Sequence, residues 1–226
     1  MSRGILIYGQ SGQGKTYSLK NLNPDTTLII DADQKNTLCW RGWKSQYSLD
    51  KKNFVPVNSI DRIIGAMNAA ESDPIYKNVT TVVIDGITNA LTSEELRYSA
   101  KNNCNPYEKF DLLRQKGAAM FETYKRLRKV ENVILIGNVK SADPRVINSV
   151  DCLFMPSKWL NNTYNPESHF TYVFYAKKLE DGYVFETQAN QSTAKSPEGC
   201  FDLTVPNDVA AIISQIDKYE AGELND

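Results

Sequence analysis

The sequence predicts an α/β fold in which a mainly parallel sheet is covered by helices on both faces and extended by an antiparallel hairpin at one edge. Unbroken apolar strands alternate with helical stretches, which is typical of a parallel sheet buried on both faces. A glycine-rich loop follows the first of these strands directly. Near the end of the chain, two strands of alternating pattern flank the turn Asp181-Gly182, and this arrangement indicates a hairpin.

Length and composition favour one domain over residues 1–226, with an acidic tail at about 218–226. A net charge of −1 gives no general attraction to nucleic acid or to a membrane. No apolar run is long enough for a membrane span or a signal-peptide core, so we expect a cytoplasmic protein without a membrane partner. The cysteines form no C-x-x-C pair, which argues against a zinc site or a disulfide framework; they are Cys39, Cys104, Cys152 and Cys200.

Apolar periodicity and turn residues place the elements of the first half of the chain. The short helix after the glycine-rich loop must stop at Asn23-Pro24, because proline cannot continue a helix. The predicted elements are, in order, a strand at 5–8, a helix at 15–22, strands at 26–30 and 54–57, a helix that Ser59 caps and Asp73-Pro74 ends, and a strand at 79–84.

The second half contains two long helices, a fourth parallel strand, the hairpin and a last amphipathic helix. Turn-forming residues at 102–106 separate the two long helices. The predicted elements are helices at about 88–100 and 107–130, a strand at 133–136, hairpin strands around Phe170 to Phe174 and Tyr183 to Thr187, and a helix opened by Pro206 that buries Val209, Ile212, Ile213 and Ile216.

The glycine-rich loop has the complete form G-x-x-x-x-G-K-[ST], which is typical of a phosphate-binding loop. Its glycines let successive N–H groups point at phosphate oxygens, Lys15 reaches the β- and γ-phosphates, and the Thr16 hydroxyl binds Mg²⁺. A helix that begins near Gly14 would add the positive end of its dipole. The predicted ligands of ATP are Gly9, Gln10, Ser11, Gly12, Gln13, Gly14, Lys15, Thr16 and the adjacent Tyr17.

Asp85 ends the strand at 79–84, where a carboxylate beside a phosphate loop would hold Mg²⁺ together with Thr16. Hydrolysis also needs a group that orients water, but the residue after Asp85 is Gly86, so the acidic neighbour found in many ATPases is absent. Asp33 is the best substitute, with Asp31 behind it, although either carboxylate could simply cap a turn. Asn138 could sense the γ-phosphate or merely end its strand.

Guanine-nucleotide switch proteins require the elements D-x-x-G and N-K-x-D. The chain has Asp85-Gly86-Ile87-Thr88 and Asn138-Val139-Lys140-Ser141 at the corresponding places, and neither fits. The comparison favours adenine, although no residue of the sequence is a convincing reader of the base.

Two segments have the residue types that contact single-stranded nucleic acid. The region from Arg114 to Lys129 is rich in cations, and residues 40–47, which we call the aromatic stretch, interleave rings with Arg41 and Lys44. The alternatives are a solvated helix face and rings that pack in the core. The cations of the first segment are Arg114, Lys116, Lys125, Arg126, Arg128 and Lys129.

The order of the phosphate loop, Ile29 to Asp33, Val82 to Asp85, Leu135 to Asn138 and the hairpin resembles the RecA-like ATPase core over about residues 1–205. It is most similar to short phage-encoded AAA-type proteins that act as RecA-like recombinases or single-strand annealing proteins. The resemblance implies that Asp33 polarises the attacking water, and its short side chain implies slow turnover. It also implies that Lys195 reaches the γ-phosphate of a neighbouring subunit.

Together with the phosphate loop, the resemblance implies an ATPase that assembles on single-stranded DNA in phage recombination or replication, in the cytoplasm of a bacterial host. Its implied partners are further copies of the chain, with nucleotide at the subunit interface, and a single-strand-binding protein. Two alternatives stay open. One is a phosphotransferase for a small metabolite, which the scarcity of arginines after Asn132 disfavours. The other is a nucleotide-binding regulatory or packaging component that does not hydrolyse ATP.

Overall fold

The computed structural model describes residues 1–100, 105–156, 160 and 164–223. Within these ranges the chain forms a nine-stranded mixed sheet with helices on both faces. The strands are β1 (Arg3–Gly9), β2 (Thr27–Asp31), β3 (Phe54–Pro56), β4 (Thr81–Asp85), β5 (Asn132–Lys140), β6 (Cys152–Leu153), β7 (Tyr172–Leu179), β8 (Gly182–Glu186) and β9 (Thr204–Pro206).

The predicted fold class is confirmed. The strand order is β3-β2-β4-β5-β1-β7-β8-β9, with β6 paired to β5. Neighbouring strands from β3 to β7 are parallel, whereas β8 and β9 continue the sheet antiparallel from β7. Because the helical connections return the chain to the same end of the sheet, the carboxyl ends of β1, β2, β4 and β5 lie side by side.

Helices cover both faces of the sheet. The α-helices are α1 (Trp43–Gln46), α2 (Ile60–Ser72), α3 (Ile87–Ser99), α4 (Pro106–Glu122) and α5 (Val209–Glu220). Short 3₁₀ segments lie at Tyr17–Leu19, Pro74–Tyr76, Thr123–Arg126 and Pro166–His169. None of the helices in the described ranges is both long and apolar enough to cross a membrane.

Successive side chains along each strand point to opposite faces of the sheet and pack into two separate hydrophobic cores. Leu6 and Tyr8 of β1 pack with α2, α3 and α4, whereas Ile5 and Ile7 pack with α5, the 3₁₀ turn after the loop and the aromatic stretch. All four β1 side chains are fully buried, and burying each aliphatic one stabilises the fold by about 2 kcal/mol. The phosphate loop therefore begins at the end of a strand that is fixed on both faces.

The helix predicted at 15–22 is wrong: only the 3₁₀ turn Tyr17–Leu19 forms there. Gly12 and Gly14 adopt φ angles of 80° and 79°, outside the helical region, and Pro24 follows soon afterwards. The helix expected to begin near Gly14, whose dipole would point at the loop, is therefore reduced to a single 3₁₀ turn.

The second long helix is also shorter than predicted, since α4 ends at Glu122 instead of 130. The Glu71 carboxylate accepts backbone N–H bonds from Arg128, Lys129 and Val130 at 2.8 to 3.0 Å. These bonds satisfy the backbone in a non-helical conformation. The cation-rich region from 114 to 129 is consequently not one continuous helix.

The last helix starts at Val209, because the Asp208 side chain caps it by accepting from the N–H groups of Ala210 and Ala211. Pro206, the predicted start, is the last residue of β9. The predicted turn residues 102–104, Cys104 among them, and the end of the acidic tail at 224–226 lie outside the described residues.

Candidate functional site

The strand ends bring the predicted site residues together. Asp31 and Asp85 are register partners on β2 and β4, and Gly9 and Asn138 are register partners on β1 and β5. Asp85 and Asn138 border a cleft of about 480 Å³. It is lined by Ser11, Gly12, Gly14, Lys15, Thr16, Tyr17, Asp33, Lys35, Cys39, Asp85, Gly86, Ile136, Gly137, Asn138 and Tyr183.

The phosphate loop packs closely under a ring of the hairpin. A Cβ at Gly14 would lie 3.0 Å from the Tyr183 ring and 3.3 Å from the Asn207 side-chain oxygen, and its φ angle is left-handed. Glycine is therefore needed here for space and for conformation. The Tyr183 ring forms one wall of the cleft, directly beside the loop.

The Lys15 amine turns back over the loop and donates to the carbonyl oxygens of Gly9 and Gln10, at 2.8 Å each. Burial lowers the pKa of Lys15 to about 8, although the Asp85 and Asp33 carboxylates oppose this shift. An ammonium that is removed from water in this way gains stability from any anion that enters the cleft. The arrangement therefore favours a phosphate beside Lys15.

Thr16 and Asp85 form the second contact of the site, in which the Thr16 hydroxyl donates to Asp85 Oδ2 at 2.7 Å. Burial raises the pKa of Asp85 to about 6, and Asp33 and Asp31 add to this rise while the Thr16 hydroxyl opposes it. A cation bound next to Asp85 would offset the free-energy cost of keeping this carboxylate charged in a buried position. The two oxygens suit Mg²⁺, which prefers oxygen ligands and usually binds one or two protein groups with phosphate and water completing its shell.

No cluster of three or more His, Cys, Asp or Glu side chains that could hold a metal occurs in the described part of the chain. Asp85 and Thr16 would thus hold Mg²⁺ only together with phosphate oxygens. The donor set fits a metal that arrives with a nucleotide.

Asp33 projects into the same cleft and is held at both carboxylate oxygens. Lys35 Nζ lies 2.5 Å from Oδ2, and Asn89 Nδ2, in the first turns of α3, donates to Oδ1 at 2.5 Å. The Asp33 side chain is 16% exposed. Its position is therefore fixed, and it faces the region beside Lys15 and Asp85.

Gly86 explains why no acidic residue follows Asp85. Its φ angle is 99°, and a Cβ there would lie 2.1 Å from Asp33 Oδ1. An aspartate or glutamate at position 86 would displace Asp33 and strain the backbone. The second carboxylate near Asp85 is thus supplied by Asp33, in the turn after β2, instead of by the residue that follows Asp85.

The other predicted residues are divided between the cleft and its surroundings. Asn138 and Tyr17 line the cleft, and Tyr17 is 41% exposed. Asp31 is buried and accepts the Asn36 N–H at 2.7 Å, so it supports the turn that carries Asp33. Lys195 is not among the cleft residues; its backbone pairs in both directions with Val173 in β7. Its role therefore stays a prediction that requires a second copy of the chain.

The aromatic stretch packs into the core that includes Ile5 and Ile7. Trp40 is 6% exposed, and Tyr47 is fully buried. The rings meet edge to face with centroids 6.1 Å apart, and the Trp40 N–H donates to Gln46 Oε1 at 2.7 Å. These two rings offer no free face for stacking on a base. For Trp40 and Tyr47, the alternative from the sequence analysis is confirmed: these rings pack in the core.

The cation-rich region is partly neutralised by carboxylates. Lys116 contacts both Asp61 and the buried Glu94 at 2.7 Å. Two more cations have acidic partners nearby: Arg114 pairs with Asp111 at 2.6 Å and Lys125 with Glu122 at 3.5 Å. With α4 ending before the remaining cations, the region does not present one uniform basic stripe.

Among the residues that line or support the cleft, the sequence interpretation missed Lys35, Cys39, Asn89 and Tyr183. Asn89 had a signal, since it lies four residues after Asp85 and so falls in the first turns of the next helix. Tyr183 was assigned only to a hairpin strand. Lys35 and Cys39 lie in an irregular segment whose course no local pattern predicts.

A family model described as an AAA domain matches residues 1–145. The matched part contains the phosphate loop, Asp33, Asp85 and Asn138, whereas Tyr183 and Lys195 lie beyond it. No curated protein matches the chain.

Proposed function

Because the chain belongs to the AAA domain family, whose members are P-loop NTPase-type proteins, we propose that it binds ATP with Mg²⁺ and hydrolyses the terminal phosphate. The observation that carries this proposal is the hydrogen bond of 2.7 Å between Thr16 and Asp85, made next to the desolvated Lys15 amine. One cleft thereby offers a cation for phosphate and an oxygen pair for a divalent metal.

Each residue has a role that its surroundings support. The loop N–H groups and Lys15 bind the β- and γ-phosphates, and Thr16 with Asp85 holds Mg²⁺. Bound Mg²⁺ would neutralise phosphate charge and polarise the phosphorus–oxygen bonds. Asn138, in the last third of β5, is exposed at the same cleft and can donate an amide hydrogen to the terminal phosphate.

Asp33 is the proposed water-orienting group. It projects from the turn after β2, and the Asn89 amide fixes one of its carboxylate oxygens at 2.5 Å. A fixed carboxylate that faces the terminal phosphate can orient a water for in-line attack. Asp33 also occupies the space that an acidic side chain at residue 86 would need, which supports this assignment.

The proposal is tested with Asp33→Asn in calorimetric titrations of MgATP and in assays of phosphate release. We expect Asp33→Asn to bind MgATP within about threefold of the wild type, while kcat falls by about 100-fold because the carboxylate is lost. Lys15→Ala serves as the reference for lost binding. Asp50→Asn is the matched control, since Asp50 is exposed and does not line the cleft, and it should change neither quantity.

A folded wild-type protein that gives no heat with MgATP would refute the nucleotide site. Tight binding with no turnover in the wild type would instead favour a non-hydrolysing regulatory component. Normal turnover in Asp33→Asn would remove that residue from the reaction.

We extend the proposal to single-stranded DNA and to assembly of several copies on the strength of the RecA-like sequence resemblance alone. Lys195 does not line the cleft of its own chain, so its proposed contact with a γ-phosphate needs a neighbouring subunit. ATP hydrolysis measured with and without a single-stranded oligonucleotide tests this extension. We expect stimulation by DNA, and equal rates would confine the proposal to ATP.

A further inference from the structure

Lys35 is held at the cleft by an unusual turn. The residues on each side of it, Gln34 and Asn36, both have φ angles of 53°, a left-handed conformation that non-glycine residues rarely adopt. The buried Asp31 carboxylate fixes the turn by accepting the Asn36 N–H at 2.7 Å, and Asn36 Nδ2 donates to the Gln34 carbonyl at 3.2 Å. Two residues in this conformation need compensation from their surroundings, and they cluster here at the cleft.

The turn directs the Lys35 ammonium towards Asp33. The distance from Nζ to Asp33 Oδ2 is 2.5 Å, and in the described part of the chain this carboxylate is its hydrogen-bond acceptor. The Lys35 side chain is 65% exposed, whereas that of Asp33 is 16% exposed. An ammonium has three hydrogens to donate, so Lys35 has donor capacity that faces the open cleft.

From this geometry we propose that Lys35 is a second phosphate-binding cation, which moves from Asp33 to the terminal phosphate of a bound nucleoside triphosphate. The inference rests on the proposed function, because it concerns the same cleft. It assigns Lys35 a specificity role, namely the distinction between a nucleoside triphosphate and a nucleoside diphosphate.

Charge supports the exchange of partners. A terminal phosphate carries up to two negative charges and three acceptor oxygens, whereas Asp33 offers one charge, so the phosphate is the stronger partner for a mobile ammonium. Lys35 lines the cleft together with Lys15, Thr16 and Asp85. A nucleoside diphosphate lacks the terminal group and leaves Lys35 paired with Asp33.

The exchange has a consequence for Asp33. When Lys35 leaves, Asp33 Oδ2 becomes free to accept a hydrogen bond from water, while Asn89 keeps Oδ1 in place. The water-orienting carboxylate would then become available only when a triphosphate is bound. A purely structural Lys35, which merely neutralises Asp33, would give no such dependence on the terminal phosphate.

The test compares MgATP with MgADP binding by calorimetry in the wild type and in Lys35→Ala. We expect Lys35→Ala to lower MgATP affinity by about tenfold and MgADP affinity by less than about twofold, the first being the loss of one charge-assisted contact. Lys35→Arg should keep MgATP affinity within about threefold. Lys44→Ala, at an exposed lysine of α1 that does not line the cleft, is the control and should change neither affinity.

Equal losses for MgATP and MgADP, or no loss for either, would overturn the inference even if the wild type binds MgATP well. A wild type that binds neither nucleotide would instead defeat the proposed function. Lys35→Gln guards against a folding defect, since it keeps most of the side-chain stem without the charge. Its thermal midpoint should match the wild type, and it should show the same selective loss of MgATP affinity.

Discussion

The phosphate loop and the aromatic stretch both contain residue types that bind nucleotides or nucleic acids, but the structure uses them in opposite ways. The loop turns its glycines and Lys15 towards an open cleft. The aromatic stretch turns Trp40 and Tyr47 into a core. The first segment lines an open cleft, whereas the second packs inside the protein.

The difference lies in what each pattern depends on. The loop pattern specifies backbone geometry, because glycines at fixed positions permit the φ angles of 80° and 79° at Gly12 and Gly14. The aromatic pattern specifies only composition, and whether a ring is free depends on what the rest of the chain places against it. A motif with a local mechanism is thus a stronger functional signal than a mixture of rings and cations.

Trp40→Ala tests the structural side of this comparison and has the largest expected effect on stability. Removing a ring that is 6% exposed leaves a cavity, so we expect a loss of about 3 kcal/mol. Urea denaturation followed by circular dichroism measures the change. The neighbouring Arg41→Ala, at an exposed residue, is the control and should stay within about 0.5 kcal/mol of the wild type. Unchanged stability in Trp40→Ala, combined with weaker binding of single-stranded DNA, would reverse our interpretation of this segment.

Much of the fold could be predicted from the sequence because its signals are local. The apolar runs within β2, β4 and β5 are buried, and for such strands composition alone is informative. The helix boundaries failed where a distant residue decides them. The predicted helix extends to residue 130, but the Glu71 carboxylate holds Arg128 to Val130 in a non-helical conformation, and no local pattern connects Glu71 with Val130.

The candidate site shows the same division. Lys15, Thr16 and Asp85 could be predicted because a motif and a strand end place them. Lys35 could not, since its position depends on the left-handed turn that the buried Asp31 stabilises. The absence of an acid at position 86 looked like a missing catalytic feature in the sequence. In the structure, position 86 must be glycine because any larger side chain would collide with Asp33.

Asp85→Asn tests the phosphate-loop side of the comparison. Its expected effect on stability is smaller than that of Trp40→Ala, and it stabilises the fold instead of destabilising it. The asparagine oxygen can still accept from Thr16, but the buried charge is gone. We expect a gain of about 1–2 kcal/mol at pH 8, after allowance for partial exposure, together with loss of Mg²⁺-dependent ATP binding. Denaturation curves and calorimetry measure the two effects, and a less stable variant would show that the carboxylate is well compensated by the fold.

The sign of the pH dependence follows from the pKa of Asp85, which burial raises from 3.8 to about 6. Above pH 6 the folded protein carries a charge that the unfolded chain accommodates better, so the cost to the wild type is complete. As the pH falls from 6 towards 3.8, the folded state takes up the proton first and the cost declines; it disappears once the pH is well below 3.8, where the carboxyl group is protonated in both states. The stability difference between Asp85→Asn and the wild type should therefore shrink as the pH falls from 7 to 4.

Arg126→Glu has the smallest expected effect and tests whether the cation-rich region resembles the loop or the aromatic stretch. Arg126 is exposed in the 3₁₀ turn that follows α4, and Lys125 beside it already pairs with Glu122. Because the surrounding cations do not form one stripe, we expect the affinity for a single-stranded oligonucleotide to change by less than about twofold at low salt. Fluorescence anisotropy of a labelled oligonucleotide measures it. A loss above about fivefold, with a shallower salt dependence, would identify this region as a phosphate-contacting surface and place it with the loop on the ligand-binding side of the comparison.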